Sequence, residues 1–294
     1  MRISKWLARY TRSLIGKTVA LTGSTGGLGL PLSMHLARLG AALVLLDRSP
    51  QRSAANRARI LEKYPDAVIR CVTLDLSDME NVREVTRKLC AAPPDIFIHN
   101  AGAYSIPRKT CQTGYDNVFQ INFASPYYMI RTLLPALRER KGHVMVVGSI
   151  AHRYSAIDSA DVDFHTRRRA SLVYGNAKRY LMFALYDLFR HETDVTLAVT
   201  HPGITQTNIT AHYPKLIYAV IKYPMRVIFM RPRRAVLPLL AGVFSPTEEN
   251  TWIGPRFFDV WGAPKKKTLH SVTAEEAREI ARLAEEIYRR CNES

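Results

Sequence analysis

Tyr174 and Lys178 stand four residues apart in the stretch YGNAK, which on a helix puts both side chains on one face. A tyrosine titrating near 10 is a poor base at neutral pH. A neighbouring ammonium favours the phenolate and lowers that value. Tyr174 could then take a proton from an alcohol or return one to a ketone. Such a pair alone says little, because tyrosine and lysine meet on many half-exposed helices. Ser149, at the end of the apolar run HVMVVGS, could orient a substrate oxygen and steady developing charge. A carbonyl–alcohol conversion also needs a hydride carrier, and a nicotinamide cofactor supplies that chemistry.

The stretch TGSTGGLG at 22–29 offers a place for such a cofactor. Gly23, Gly27 and Gly29 would let the chain turn tightly around a pyrophosphate, with Ser24, Thr25 and Leu28 completing the loop. The next helix would aim its first N–H groups at the phosphates. The spacing is TGxxxGxG rather than GxGxxG, but the loop sits between a strand and a helix, where the mechanism needs it. Asp47 ends the second strand. An acid there accepts the ribose hydroxyls of NAD and repels the 2′-phosphate of NADP. Arg48 and Arg52 could instead receive that phosphate. The reading favours NAD and keeps NADP as the alternative. Asp75, followed by Leu76, ends the third strand and either meets adenine or starts the DLSD turn.

Short apolar runs alternate with helical patterns along most of the chain. Strands are expected at 18–22, 42–47, 67–75, 95–102, 143–149 and 195–203. Helices are expected at 31–40, 51–63, 80–90, 116–138 and 174–190. This alternation means βαβ units and a parallel sheet covered on both faces. No linker or repeat interrupts it. The expectation is one α/β, Rossmann-like domain at 16–270, preceded by a basic amphipathic segment at 1–15 and followed by a helix within 271–294. Thr273 and Glu276 fit a capping box for that last helix.

Together these motifs resemble the classical short-chain dehydrogenase/reductase family. TGSTGGLG resembles its cofactor loop, and Asp75 matches its adenine-contacting acid. HNAG at 99–102 resembles its NNAG motif and brings Asn100, Ala101 and Gly102 to the cofactor. Asn122, Ser149, Tyr174 and Lys178 match its catalytic residues. HPG at 201–203 followed by Thr207 resembles its PGxxxT segment, adding Pro202, Gly203, Ile204 and Thr207 to the cofactor contacts. The match runs from about 16 to about 210. It implies a mostly parallel sheet of about seven strands, a homodimer or homotetramer, Lys178 on the nicotinamide ribose, and Asn122 shaping its helix and holding water on a relay to Lys178. His99 and Gly148 depart from the family pattern without touching Asn100 or Ser149. The 25-residue gap between Ser149 and Tyr174 is long, and with SIAH and HPG it resembles the retinol-dehydrogenase-like and WW-domain-oxidoreductase-like branch. No WW domain is present.

Composition bounds the alternatives. The chain has 294 residues, 47% hydrophobic, enough for a real core. Its formal charge of +17 invites nucleic acid, anionic lipid or a phosphorylated cofactor as partner. No nucleic-acid recognition motif accompanies the charge, so that class is disfavoured. Cys71, Cys90, Cys111 and Cys291 are irregularly spaced, which suggests no zinc site or disulfide framework. No membrane span, no signal peptide and no metal are expected, and a cytoplasmic location follows, with peripheral contact at a membrane surface as a second expectation. That second expectation has two sources. Ile3, Leu7, Tyr10 and Leu14, flanked by Trp6, could form a surface helix. The lid at 204–234 holds an apolar, aromatic run at 213–230 broken by Lys215, Lys222 and Arg226, which suits a lipophilic alcohol or carbonyl. Phe257, Phe258 and Trp261 could line a pocket or anchor the tail. A catalytically silent, cofactor-sensing interaction protein is the alternative from another class, and the complete set of four catalytic-type residues argues against it.

Overall fold

The computed structural model describes residues 3–203 and 231–293. The apolar part of the expected lid, with Ile204 and Thr207, lies outside the described residues. Thr18–Thr22 (β1), Ala42–Asp47 (β2), Ile69–Thr73 (β3), Ile96–His99 (β4), His143–Val147 (β5), Thr196–Thr200 (β6), Thr251–Phe257 (β7) and Trp261–Thr268 (β8) form one sheet in the order β3-β2-β1-β4-β5-β6-β7-β8. Strands β1 to β7 are parallel, and β8 returns antiparallel to β7. The chain reverses direction across the sheet between β1 and β4. In open α/β sheets that switch point, at the carboxyl ends of the strands, is where ligands bind.

The period-2 alternation of the strands builds two apolar layers. Leu21, Leu45, Ile98, Met145 and Ala198 face one side. There they meet helices α1 (Ile3–Tyr10), α2 (Gly29–Arg38), α3 (Pro50–Lys63) and α7 (Leu237–Phe244). Ala20, Leu46, Phe97, Val146 and Val199 face the other. They meet α4 (Met79–Ala91), α5 (Ser125–Glu139), α6 (Ala170–Leu188) and α8 (Ala274–Glu293).

Two expectations change. The β7–β8 hairpin takes the sheet to eight strands, and periodicity did not mark it, because Pro255 and Pro264 face each other within it and the register slips between Pro255 and Phe257. The N-terminal apolar stripe is spent on the protein itself. Trp6 and Leu7 are buried with Leu14 against α2 and the strand core, and Trp6 stacks on Tyr10 at 5.2 Å. A lipid surface would find only the outward side of α1, with Lys5, Arg9 and Tyr10.

This packing predicts that Trp6→Ala destabilises the protein by about 3 kcal/mol in lipid-free buffer. Urea unfolding checks it. An unchanged midpoint would mean that α1 is not part of the core.

Candidate active site

The glycine loop is fixed from below by polar side chains. The N–H groups of Asn100 and Ala101 both donate to Thr22 Oγ1, at 3.1 and 3.0 Å. That hydroxyl's proton is then left for His99 Nδ1 at 3.2 Å. Asn100 Nδ2 donates to the carbonyls of Thr22 and Gly23. This ties the exit of β4 to the start of the loop. Gly23 has φ of 69°, and a Cβ there would lie 2.8 Å from Ala101 Cα, so no other residue fits.

Asp47 is engaged by its own loop and the following helix. It is 2% exposed. Its carboxylate accepts from Ser24 Oγ at 2.6 Å, Ser53 Oγ at 2.9 Å and Thr25 N–H at 3.1 Å. Asn56 Nδ2 reinforces the latch by donating to the Ser24 carbonyl and hydroxyl. The exposed charges at this corner are Arg48 and Arg52, and Arg52 reaches the Thr25 carbonyl at 3.2 Å. Asp75 Oδ1 accepts from the Ser77 N–H and hydroxyl, which is the turn-starting role. Leu76 is buried, and its carbonyl accepts from Ser125 Oγ.

Asn122 is buried in a π-helical turn, Gln120–Ala124, just before α5. Its amide donates to the Val118 carbonyl, four residues back, and to Ala103 O, both at 2.8 Å. Its Oδ1 accepts from Ala103 N–H. Occupying Val118 O with a side chain displaces a helical N–H, which accounts for the wide turn. Gly102 lies beside both Asn122 Oδ1 and Lys178 Nζ.

Ser149 caps the short 3-10 helix Ile150–Tyr154 after β5. Helix α6 approaches this turn so closely that a Cβ on Gly175 would sit 2.4 Å from the Ala151 carbonyl oxygen. The approach brings the Ser149 turn up to the Tyr174 end of α6, where Ser149 favours the phenolate. Lys178, one turn on, is 2% exposed and donates to the Val147 carbonyl at 2.9 Å. Its Nζ lies 5.7 Å from the Tyr174 ring centre. A lowered tyrosine pKa is therefore not a property of the protein alone. Burial pushes Tyr174 up to about 12 against the pull of Ser149, and burial brings Lys178 down to about 7. Serine, tyrosine, lysine, asparagine and the glycine loop all converge on the carboxyl edge of the sheet.

Contacts between residues far apart in the sequence hold this arrangement. Arg179 is buried beside Lys178 and binds both oxygens of Glu276 at 2.6 Å. It also donates to the carbonyls of His152 at 2.8 Å and Ser271 at 2.6 Å. The His152 ring contacts Ser149 O at 2.6 Å through Nδ1, which must carry the proton because a carbonyl only accepts. Nε2 then accepts from Ser271 Oγ. Glu276 thus completes half of the expected capping box: its N–H donates to Thr273 Oγ1, while its carboxylate goes to Arg179. Across the same edge, His201 stacks on Trp252 at 4.8 Å and contacts the Asp259 carbonyl. Pro202 and Gly203 follow it, both buried.

Burial lowers His152 and His201 from 6.5 to about 4. Between those values the unfolded chain binds protons that the folded one does not. Stability is therefore fully present above pH 6.5 and is lost as pH falls towards 4. From pH 6.5 to 5 each histidine should cost about 2 kcal/mol. Urea unfolding of wild type and His201→Asn at pH 7 and pH 5 should show the variant losing about 2 kcal/mol less. Equal losses would mean that His201 titrates normally.

The chain matches the family model described as short chain dehydrogenase over residues 17–160. A Streptomyces protein named for a daunorubicin C-13 ketoreductase is 31% identical over 204 residues, 67% of this chain and 68% of that one. Retinol dehydrogenase 14 of Homo sapiens is 27% identical over 263 residues, 83% of this chain and 78% of its own. A crystal structure of an uncharacterised protein from Mycobacterium paratuberculosis shares the fold, with a TM-score of 0.77 at 22% identity over 96% of this chain and 97% of that one. The chain belongs to the short-chain dehydrogenase family of oxidoreductases.

Proposed function

We propose that this protein interconverts an alcohol and a carbonyl on a lipophilic substrate, with a nicotinamide dinucleotide as cofactor, and that it belongs near the retinol-dehydrogenase-like branch of its family. The observation that carries the reading is Tyr174 one turn from buried Lys178 on the same helix, beside the Ser149 turn, on the sheet edge that also presents the glycine loop. The residues fit a dinucleotide. The loop is pinned at Gly23 and Asn100, and α2 begins at Gly29 with its first N–H groups at the loop.

A bound nicotinamide supplies the hydride partner and, when oxidised, a positive charge. Tyr174 moves the proton. Ser149 favours the phenolate and can hold a substrate oxygen. Lys178, titrating at about 7, switches charge near neutral pH, and its ammonium form favours the phenolate. Asn122 fixes the loop after β4 against that lysine. The apolar run at 213–230 supports a lipophilic substrate, and so does the retinol named for one relative.

Tyr174→Phe removes the proton-transfer group and spares the packing. Turnover should fall by about 10²–10⁴-fold with cofactor affinity kept. The measurement is nicotinamide absorbance over a panel from small sugars to long-chain and polycyclic alcohols and ketones. Undiminished turnover in the variant would sink the assignment, and wild-type turnover confined to small polar compounds would sink the lipophilic substrate.

The choice between NAD and NADP turns on the corner after β2. Asp47 spends its carboxylate on Ser24, Thr25 and Ser53, which leaves Arg48 and Arg52 as the outward charges. This moves the reading towards NADP. Calorimetric titration should give tighter binding of NADPH than NADH, with the difference lost in an Arg48→Ala, Arg52→Ala double variant. Tighter NADH binding would return the choice to Asp47.

A further inference from the structure

The long segment between the Ser149 turn and α6 gathers two buried acids against one imidazole. Asp161 is 7% exposed and Asp163 6%, while His165 reaches solvent. One ligand atom from each of the three lies within 4.8 Å of the others. His165 Nδ1 is 2.9 Å from Asp161 Oδ1 and 3.2 Å from Asp163 Oδ1. Two carboxylates brought this close repel each other, and the low dielectric around them strengthens the repulsion.

The donors at hand do not cover these oxygens. A ring nitrogen carries at most one proton, and His165 Nδ1 directs its own at Asp163. Asp163 also accepts the N–H groups of Asp116 and His165. Asp161 Oδ2 takes the Thr166 hydroxyl, with Arg167 Nε at 3.7 Å. Asp161 Oδ1 is shut off from solvent, and among the described residues no hydrogen bond reaches it. A buried carboxylate oxygen in that state calls for a cation.

The donor set selects the cation. Magnesium and calcium take oxygen ligands, whereas one imidazole nitrogen with two carboxylate oxygens suits a first-row ion such as zinc. Around a tetrahedral zinc with bonds of about 2.0–2.1 Å, ligand atoms stand about 3.3–3.4 Å apart. The separations of 2.9 and 3.2 Å need only a small opening. The cluster faces a cleft lined by Ser159, Arg282, Glu286 and Arg290, which gives an ion a way in. Arg282 is paired there with Glu279 and Glu286. We propose that Asp161, Asp163 and His165 form a binding site for a first-row divalent cation of the zinc class.

Placement gives the ion a structural task. Val162 O, between the two acids, accepts from Asn176 Nδ2 at 2.8 Å, two residues beyond Tyr174 on α6. Phe164 packs with Val118 and Val173, and Tyr174 packs against that group. An ion would therefore fasten the insertion to the helix that carries the phenol. That consequence rests on the catalytic reading above; the binding itself does not.

The test uses the full chain, stripped with EDTA and titrated with zinc chloride by calorimetry and thermal melting. One zinc should bind per chain. Zinc at about a hundredfold above its Kd should raise the melting temperature by about 5 °C, and magnesium should not. His165→Ala and Asp161→Asn should each weaken zinc binding at least about tenfold. His165 is exposed, so His165→Ala should melt like wild type in EDTA. Cobalt in place of zinc should give a ligand-field spectrum without thiolate charge transfer. A thiolate band would place the ion at a cysteine such as exposed Cys71 and overturn the proposal. So would an equal response to magnesium, zinc binding that both variants leave unchanged, or no binding by the wild type, which would leave the cluster as an imidazolium between two carboxylates. Turnover is not read, so this test and that of the catalytic reading can fail separately.

Discussion

The fold's most demanding task is to hold a lysine ammonium out of water beside a phenol. Lys178 is 2% exposed, and burying a charge without a partner is expensive. Among the described residues no carboxylate pairs with it. It has a single carbonyl, Val147 O, at the end of β5. Its pKa near 7 is the physical consequence, since burial disfavours the charged form. A carboxylate partner would hold the ammonium charged and would also raise the phenol. With none among the described residues, the lysine responds to whatever charge enters the site. The Tyr174 pKa of about 12 shows the other half of the same poise.

Much else exists to keep that pair in register. Lys178 and Tyr174 ride on α6, so α6 has to meet the Ser149 turn at a fixed height. Gly175 permits the approach, and Arg179 locks it by spanning His152, Ser271 and Glu276. A guanidinium suits this task because its planar fork, with five N–H donors in fixed directions, serves four acceptor atoms on three residues at once, whereas an ammonium has only three donors. The cofactor side is locked by different means. Thr22 and Asn100 fasten the glycine loop to β4, and Asp47 fastens it to α3. The two locks share no residue, so the Tyr174–Lys178 pair and the glycine loop are held independently against one sheet.

What the sequence disclosed follows from where information is local. Six of the strands and the helices between them were legible because each buries one face, and burial imposes a period on neighbouring residues. Tyr174, Lys178 and Ser149 stood out by residue type and spacing and Asn122 by family resemblance, and the fold brings the four to one edge of the sheet. Arg179 and Glu276 were not, since 97 positions separate them and either alone is an ordinary helix charge. Asp47 was legible as an acid at a strand end, but its orientation was not. Ser24, Ser53 and Asn56 turn it inward, and each is unexceptional in sequence. The hairpin escaped notice because its prolines and glycines erase the alternation that marks a strand.

Charge shows how interior and surface are linked. Asp47, Asp95, Asp116, Asp161, Asp163 and Asp259 are all buried, while Lys178 and Arg179 are the buried cations among the described residues. The interior consumes acids to pin loops: Asp116 and Asp163 brace the segment between β5 and α6, Asp95 receives the Thr18 N–H, and Asp259 sets the hairpin. Each acid drawn inward is removed from the surface, whereas nearly every lysine and arginine among the described residues stays outside. The solvent-facing shell is therefore more positive than the formal balance of +17 indicates. A phosphorylated cofactor at the Arg48 corner would meet a field that the packing of the core itself strengthens.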